Sequence, residues 1–208
     1  MESQFQEKVK DFSFPAIQKK EGHPIYLNYC NTLHESLQAA DWGKIHFLAE
    51  TLLDCWKTGK RVFICGNGGS AANATHIAND MIYGISKKFG SGLKVQSLSA
   101  NASVLTCLAN DEGYDTIYSY QLAVLAEKGD VLIVLSSSGN SPNILKTLEV
   151  AKDMGVLSFG ILGYSGGKAK ELCDVSLDFP VHDVQISEDL QVIICHMVMQ
   201  WLYQAAKG

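Results

Sequence analysis

From residue 61 onward the chain alternates short apolar runs with helical stretches, and this alternation limits its possible folds more than any other feature. The runs cover residues 61–65, 93–98, 130–135, 157–162 and 174–179, and helical patterning covers 71–85, 104–108, 118–126, 142–154 and 187–206. Short apolar runs bounded by turn residues read as strands, and strands separated by helices build βαβ units. Such units give a parallel sheet with helices on both faces. The pattern predicts an α/β fold, a three-layer αβα sandwich around a five-stranded parallel sheet.

The segment ahead of residue 61 has a different texture. Between residues 25 and 56 Gly and Pro are nearly absent, and Tyr26, Tyr29, Leu33, Ile45, Leu48, Leu52, Leu53 and Trp56 recur at helical spacing. Two helices broken near Asp41 follow, the second ended by Thr58-Gly59-Lys60. No repeat or low-complexity linker divides the chain. Residues 1–208 therefore read as one domain, with 1–60 a helical extension of the 61–208 core.

Composition excludes several classes of function. With 47% hydrophobic and 19% charged residues over 208 positions, the chain can bury its own core and needs no disulfide or metal to fold. Seventeen basic against 22 acidic residues give a formal charge of -5, and Lys and Arg gather nowhere into a patch. Binding to nucleic acid through phosphate neutralisation is not expected. The six cysteines (Cys30, Cys55, Cys65, Cys107, Cys173, Cys195) include no CxxC pair and read as free thiols of a reducing compartment. The first residues lack the features of a secretory signal, and no apolar run approaches the ~20 residues of a membrane span. A soluble, cytoplasmic protein with no membrane partner is the expectation.

In an open α/β sheet, ligands bind beyond the carboxyl ends of the strands. Two such ends carry similar residues: Gly66-Asn67-Gly68-Gly69-Ser70-Ala71-Ala72-Asn73 and Ser136-Ser137-Ser138-Gly139-Asn140-Ser141-Pro142-Asn143. Glycines let backbone N–H groups approach an anion, hydroxyls donate further hydrogen bonds, and the following helix offers its positive end. One such loop is equally well a plain strand-to-helix turn. Two of them, each following a strand and opening a helix, point to phosphate.

Three named motifs compete with that reading. Gly66 to Ala71 fits GxGxxA, but the dinucleotide fingerprint also needs an acidic residue about 20 positions on, and none occurs between Asp80 and Asp111. GxxxxGK[ST] has no match. Gly163-Tyr164-Ser165-Gly166-Gly167 fits GxSxG between a strand and a helix, the setting of a hydrolase nucleophile elbow. Asp174 or Asp178 and then His182 or His196 follow in triad order. No HGGG-like oxyanion loop accompanies it, and an elbow leaves both phosphate loops without a role. A Gly-Gly turn is the simpler account.

Further residues join the two loops: His76, Leu108-Ala109-Asn110-Asp111, Gly129-Asp130-Val131-Leu132 and a last helix carrying His196. With these the chain resembles the sugar isomerase (SIS) domain family, and within it the phosphoheptose isomerases, which act on sedoheptulose 7-phosphate. The resemblance covers essentially the whole chain. It implies a SIS-type, flavodoxin-like (Rossmann-like) sandwich and a homo-oligomer, a tetramer with sites between subunits. It places the phosphate at Ser136, Ser137, Ser138 and Ser141, with Asn67, Gly68, Gly69 and Ser70 contributing from the first loop. Asn110, Asp111 and Glu188 complete the implied substrate-binding set.

The resemblance also implies a zinc or similar divalent ion at His76, Asp80, Glu188 and His196. Two positions depart from the family pattern, which has glutamate where this chain has Asp80 and glutamine where it has Glu188. On spacing alone, His76 and Asp80 share one helix face at i,i+4. Glu188 and His196 are separated by about 12 Å of helix rise, so both reach one centre only through an irregular helix start or from different subunits. Asp189 lies nearer in angle than Glu188 to the His196 face, and either acid is available. Taken alone, a histidine within Ile193-Ile194-Cys195-His196-Met197-Val198 reads as a hydrogen-bonded core residue. His23, His34, His46 and His182 suggest no partner.

The implied reaction is aldose-ketose isomerisation of sedoheptulose 7-phosphate to D-glycero-D-manno-heptose 7-phosphate, for heptose in surface lipopolysaccharide. Asp80 and His196 are the acid-base pair in that reading. The alternative is a non-catalytic SIS module that binds phosphosugars or a protein, of the replication-initiator-associated type. That type lacks the metal-site glutamate and the last-helix histidine, whereas this chain keeps His76, a carboxylate and His196.

Overall fold

A computed structural model describes residues 22–205; the first 21 residues of the expected N-terminal extension and the last three lie outside it. Two helices lead, α1 (Pro24–Gln38) and α2 (Trp42–Thr58). Asp41 caps α2 by accepting from the Lys44 N–H at 3.1 Å, which explains the break in the helical pattern there. Then follow β1 (Arg61–Gly66), α3 (Gly69–Asn79), a π-helical segment (Asp80–Gly84), α4 (Ile85–Phe89) and β2 (Lys94–Ser97). After these come α5 (Ala102–Asp111), a 3-10 turn (Tyr114–Thr116), α6 (Ser119–Leu125), β3 (Val131–Ser136) and α7 (Pro142–Met154). The chain closes with β4 (Leu157–Leu162), α8 (Ala169–Leu172), β5 (Val175–Asp178) and α9 (Val184–Ala205). No helix among the described residues is long and apolar enough to cross a membrane.

The five strands form one parallel sheet in the order β2-β1-β3-β4-β5. Alternate side chains of the central strands leave on opposite faces. Val62, Ile64, Ile133 and Leu135 enter one core with α2, α3 and α9. Phe63, Cys65, Leu132 and Val134 enter the other with residues of α5 to α8. All six residues of β3 are buried, as expected of a strand with helices on both faces.

The strand order reverses direction between β1 and β3, which makes the crevice between them the topological switch point. Gly66 ends β1 opposite Leu135 near the end of β3. The two glycine-serine loops thus emerge side by side.

Two elements differ from their expected form. The helix expected over 71–85 is divided, with a π segment starting at Asp80, one turn after His76. The last helix begins at Val184 rather than 187, because Asp183 Oδ1 accepts from the Ile186 N–H at 2.9 Å and starts the helix earlier.

Candidate active site

Asn67 ties the two loops together. Its amide pairs reciprocally with that of Asn143 at the start of α7, Nδ2 of each donating to Oδ1 of the other at 2.9 and 2.8 Å. Tyr114 and Tyr118 hydroxyls also reach Asn67 Oδ1, both at 3.2 Å, and Tyr118 donates to the Gly66 carbonyl at 2.5 Å. Burial pushes the Tyr118 hydroxyl up to about 12, so it stays a donor at neutral pH. Asn67 thus positions the loops, a role its place in a glycine motif did not reveal. Asn143, Tyr114 and Tyr118 were outside the expected site because their partners lie 47 to 76 residues away in sequence.

Between the loops lies a cavity of about 260 Å3 lined by Ser136, Ser137, Ser138 and Ser141 of the second loop and by Asn67 and Ser70 of the first. Ser136 Oγ accepts from the Gly139 N–H at 3.0 Å, which folds the loop back on itself. Ser141 precedes α7 but its side chain makes no capping bond, so its hydroxyl is available beside the helix N-terminus. Among the described residues, no Lys or Arg lines this cavity. An anion in this cavity would be held by hydroxyls and helix ends. A larger cleft of about 670 Å3 beside β2 carries no ionisable side chain among the described residues.

Glu188 lines the same cavity. Its carboxylate lies against Gly69, the first residue of α3, so closely that any β-carbon there would overlap both oxygens. This close approach is what Gly69 permits, while Gly68 caps α3 without a side chain. A partly buried polar network sets α9 against α3 at this level. Asn73 donates to the Glu188 carbonyl (2.9 Å) and to Gln191 Oε1 (3.1 Å), and Gln191 donates to Ser70 Oγ (3.1 Å).

That register brings His76 of α3, Asp80 and His196 of α9 together. The two Nε2 atoms are 3.0 Å apart, and Asp80 Oδ2 stands 3.5 Å from His76 and 3.3 Å from His196. Their side chains are 49%, 24% and 42% exposed. Ion pairs this exposed contribute at most about 1 kcal/mol, so stability does not account for the cluster. Two facing Nε2 atoms require a proton, or a cation in its place, between them. Around zinc with bonds of about 2.0–2.1 Å, tetrahedral N and O ligands stand roughly 3.3 Å from one another. The observed edges match that spacing, and three protein ligands with an open position is the pattern of catalytic zinc. The set fits a divalent ion.

Glu188 is not part of this cluster within the chain. The reason is the continuity of α9 from Val184 to Ala205, which carries the two residues about 12 Å apart along its axis. Asp189 is engaged elsewhere, accepting from the Tyr29 hydroxyl of α1 at 2.6 Å. Burial and that carboxylate together hold the Tyr29 hydroxyl far above its usual range. Asn110 and Asp111 end α5 on the surface, where Asp111 accepts from Asn110 and Cys107; neither lines the serine cavity. The residues a nucleophile at Ser165 would require are also occupied. Asp174 accepts from the Ser158 N–H and hydroxyl at 2.8 Å each, Asp178 pairs with Lys170 at 2.9 Å, and the His182 ring packs on Tyr164.

The SIS domain family model matches residues 25–163. The chain is 39% identical over 169 residues to a phosphoheptose isomerase from Aliarcobacter butzleri, covering 81% of this chain and 85% of that protein. It is 41% identical over 166 residues to one from Helicobacter pylori, covering 79% and 83%. This chain belongs to the phosphoheptose isomerase branch of the SIS domain family. The phosphoheptose isomerase GmhA of Neisseria gonorrhoeae superposes with a TM-score of 0.80 at 26% identity, over 96% of this chain and 99% of that one. Asp80, one carbon shorter than the glutamate that the resemblance implies there, stands within 3.5 Å of both imidazoles. Glu188 adds a negative charge to a cavity otherwise lined by neutral groups.

Proposed function

We propose that this protein is a phosphoheptose isomerase that interconverts sedoheptulose 7-phosphate and D-glycero-D-manno-heptose 7-phosphate. It works in the cytoplasm as a homo-oligomer, a tetramer by resemblance, and supplies heptose for lipopolysaccharide. The convergence of His76, Asp80 and His196 beside two anion-binding loops carries this reading. The six cysteines are all free, which supports a reducing compartment. Tyr83 and Met197 are exposed apolar residues near Asp80 and His196 in the chain, and they support burial of this face against another subunit.

The serine cavity holds the phosphate, and the cluster acts at the other end of an extended seven-carbon chain. Anchoring the remote phosphate positions C1 and C2 for proton transfer. One of Asp80 and His196 removes the C1 proton of the ketose while the C2 oxygen is protonated, giving an enediol. The other returns a proton to C2 as the C1 hydroxyl loses its own. With a metal held at Asp80 Oδ2 and His196 Nε2, which stand 3.3 Å apart, proton transfer would fall to the atoms left uncoordinated, Asp80 Oδ1 and His196 Nδ1. A zinc ion held by His76, Asp80 and His196 would supply Lewis-acid polarisation of the two sugar oxygens.

The test is NMR of 13C-labelled sedoheptulose 7-phosphate incubated with metal-replete protein. Aldose signals should appear, with solvent deuterium incorporated at C2. Elemental analysis of protein purified without chelators should find about one zinc or similar ion per chain, and chelation should remove activity that added metal restores. Metal-free protein with full activity would remove the Lewis-acid role. If no heptose or hexose phosphate turns over although phosphosugars bind, the protein is a binding module.

A further inference from the structure

We propose that Tyr164 is a specificity-determining residue. Resting on the phosphate assignment above, its ring and Val184 form the apolar lip of the serine cavity, on which the carbon chain of a phosphosugar packs. Tyr164 has φ of 49°, the one positive value at a non-glycine residue among those described. An L-residue in this region is strained, and for a bulky ring the conformation is a clear outlier. Glycine would relieve the strain at no steric cost, and Gly163, Gly166 and Gly167 already make up the turn. Strain held where the surrounding structure over-determines it points to function.

The turn is held from several sides. Gly163 N–H donates to the Ser136 carbonyl at 3.1 Å, Tyr164 N–H to the Val181 carbonyl at 3.2 Å, and Gly166 N–H to the Gly163 carbonyl at 2.9 Å. A β-carbon at Gly163 would overlap Ser187 Oγ and press on the Ser137 carbonyl, so glycine there lets the turn pack closely against α9 and the second loop. The backbone therefore delivers Tyr164 to the rim of their cavity. The His182 ring packs edge-on against it at 5.1 Å and 86°. Of the three apolar residues lining the cavity, Leu135 is fully buried within β3, while Tyr164 is partly exposed and Val184 41% exposed. Hydroxyls suffice for an inorganic anion. A phosphosugar also needs an apolar surface for its carbon chain, the division of labour seen in small-molecule sites. The GxSxG turn thereby acquires a role that needs no nucleophile.

The test compares wild type with Tyr164→Gly, Tyr164→Asn and Tyr164→Phe. Gly and Asn both tolerate the left-handed backbone, so both variants should fold. Melting temperature, the Kd for inorganic phosphate, and the Kd, KM and kcat for sedoheptulose 7-phosphate are measured on the same preparations. Tyr164→Gly and Tyr164→Asn should melt no lower than wild type and bind inorganic phosphate within twofold of it. Their KM and Kd for the sugar phosphate should rise about tenfold, the size of a lost aromatic contact, with kcat little changed. Tyr164→Phe should behave as wild type. Unchanged sugar-phosphate affinity in a folded Tyr164→Gly or Tyr164→Asn overturns the proposal, with or without a fall in melting temperature, and leaves the ring as packing for His182. Equal losses for phosphate and sugar phosphate also overturn it, since the turn would then shape the anion site. Binding without turnover in wild type defeats only the isomerase reading, because Kd still reports on Tyr164. Wild-type protein that binds neither ligand removes the cavity assignment and this proposal together.

Discussion

His196→Ala should abolish isomerisation while leaving phosphosugar binding within a few-fold of wild type. Positioned acid-base groups contribute about 10²–10⁴-fold to such reactions, and this residue also belongs to the set that would hold a metal. The phosphate loops are separate elements, so ground-state affinity and chemistry come apart in this variant. A structural role predicts otherwise. If His196 served only the packing of α9, its loss would lower thermal stability or break the oligomer, and activity would fall only with the folded fraction. The side chain is 42% exposed and its neighbours Cys195 and Val198 carry the buried face, so truncation opens no core cavity. Turnover, melting temperature and oligomer size on one preparation decide the matter. A folded, assembled and fully active variant would end the catalytic assignment.

Replacing Ser137 and Ser141 together with Ala should weaken sugar-phosphate binding at least a hundredfold. Hydrogen bonds to a charged group contribute about 1.5–3 kcal/mol each, and each 1.4 kcal/mol is tenfold in affinity. Among the described residues, the cavity has no Lys or Arg to compensate. Stability should hardly change, because the Ser141 side chain makes no capping bond. Calorimetric titration reads the effect directly, and unchanged affinity would move the phosphate to another site. Unlike His196→Ala, this variant should retain turnover at saturating sugar phosphate, which separates anchoring from chemistry.

Both predictions begin from residues visible in the chain, though the sequence and the tertiary structure determine different things about them. The five apolar runs, the helical spacing of residues 25–56 and the glycine-serine loops are local patterns, and local patterns record secondary structure and turn chemistry. They determine the α/β class, the parallel sheet and a pair of glycine-serine loops at strand ends. His76 and Asp80 are visible as a pair because four residues make one helical turn. Spacing was silent about His196, 120 residues from His76, and only the resemblance to a known family selected it. The strand order that sets β1 beside β3, the Asn67–Asn143 amide pair and the Asn73–Gln191–Ser70 network depend on contacts between distant segments, which no local pattern encodes. So does the separation of Glu188 from the His76, Asp80 and His196 cluster, decided by the unbroken rise of α9. Tyr164 is the sharpest case. Its residue type argues against a left-handed turn, and only hydrogen bonds and close packing against β3, Val181 and Ser187 hold it there.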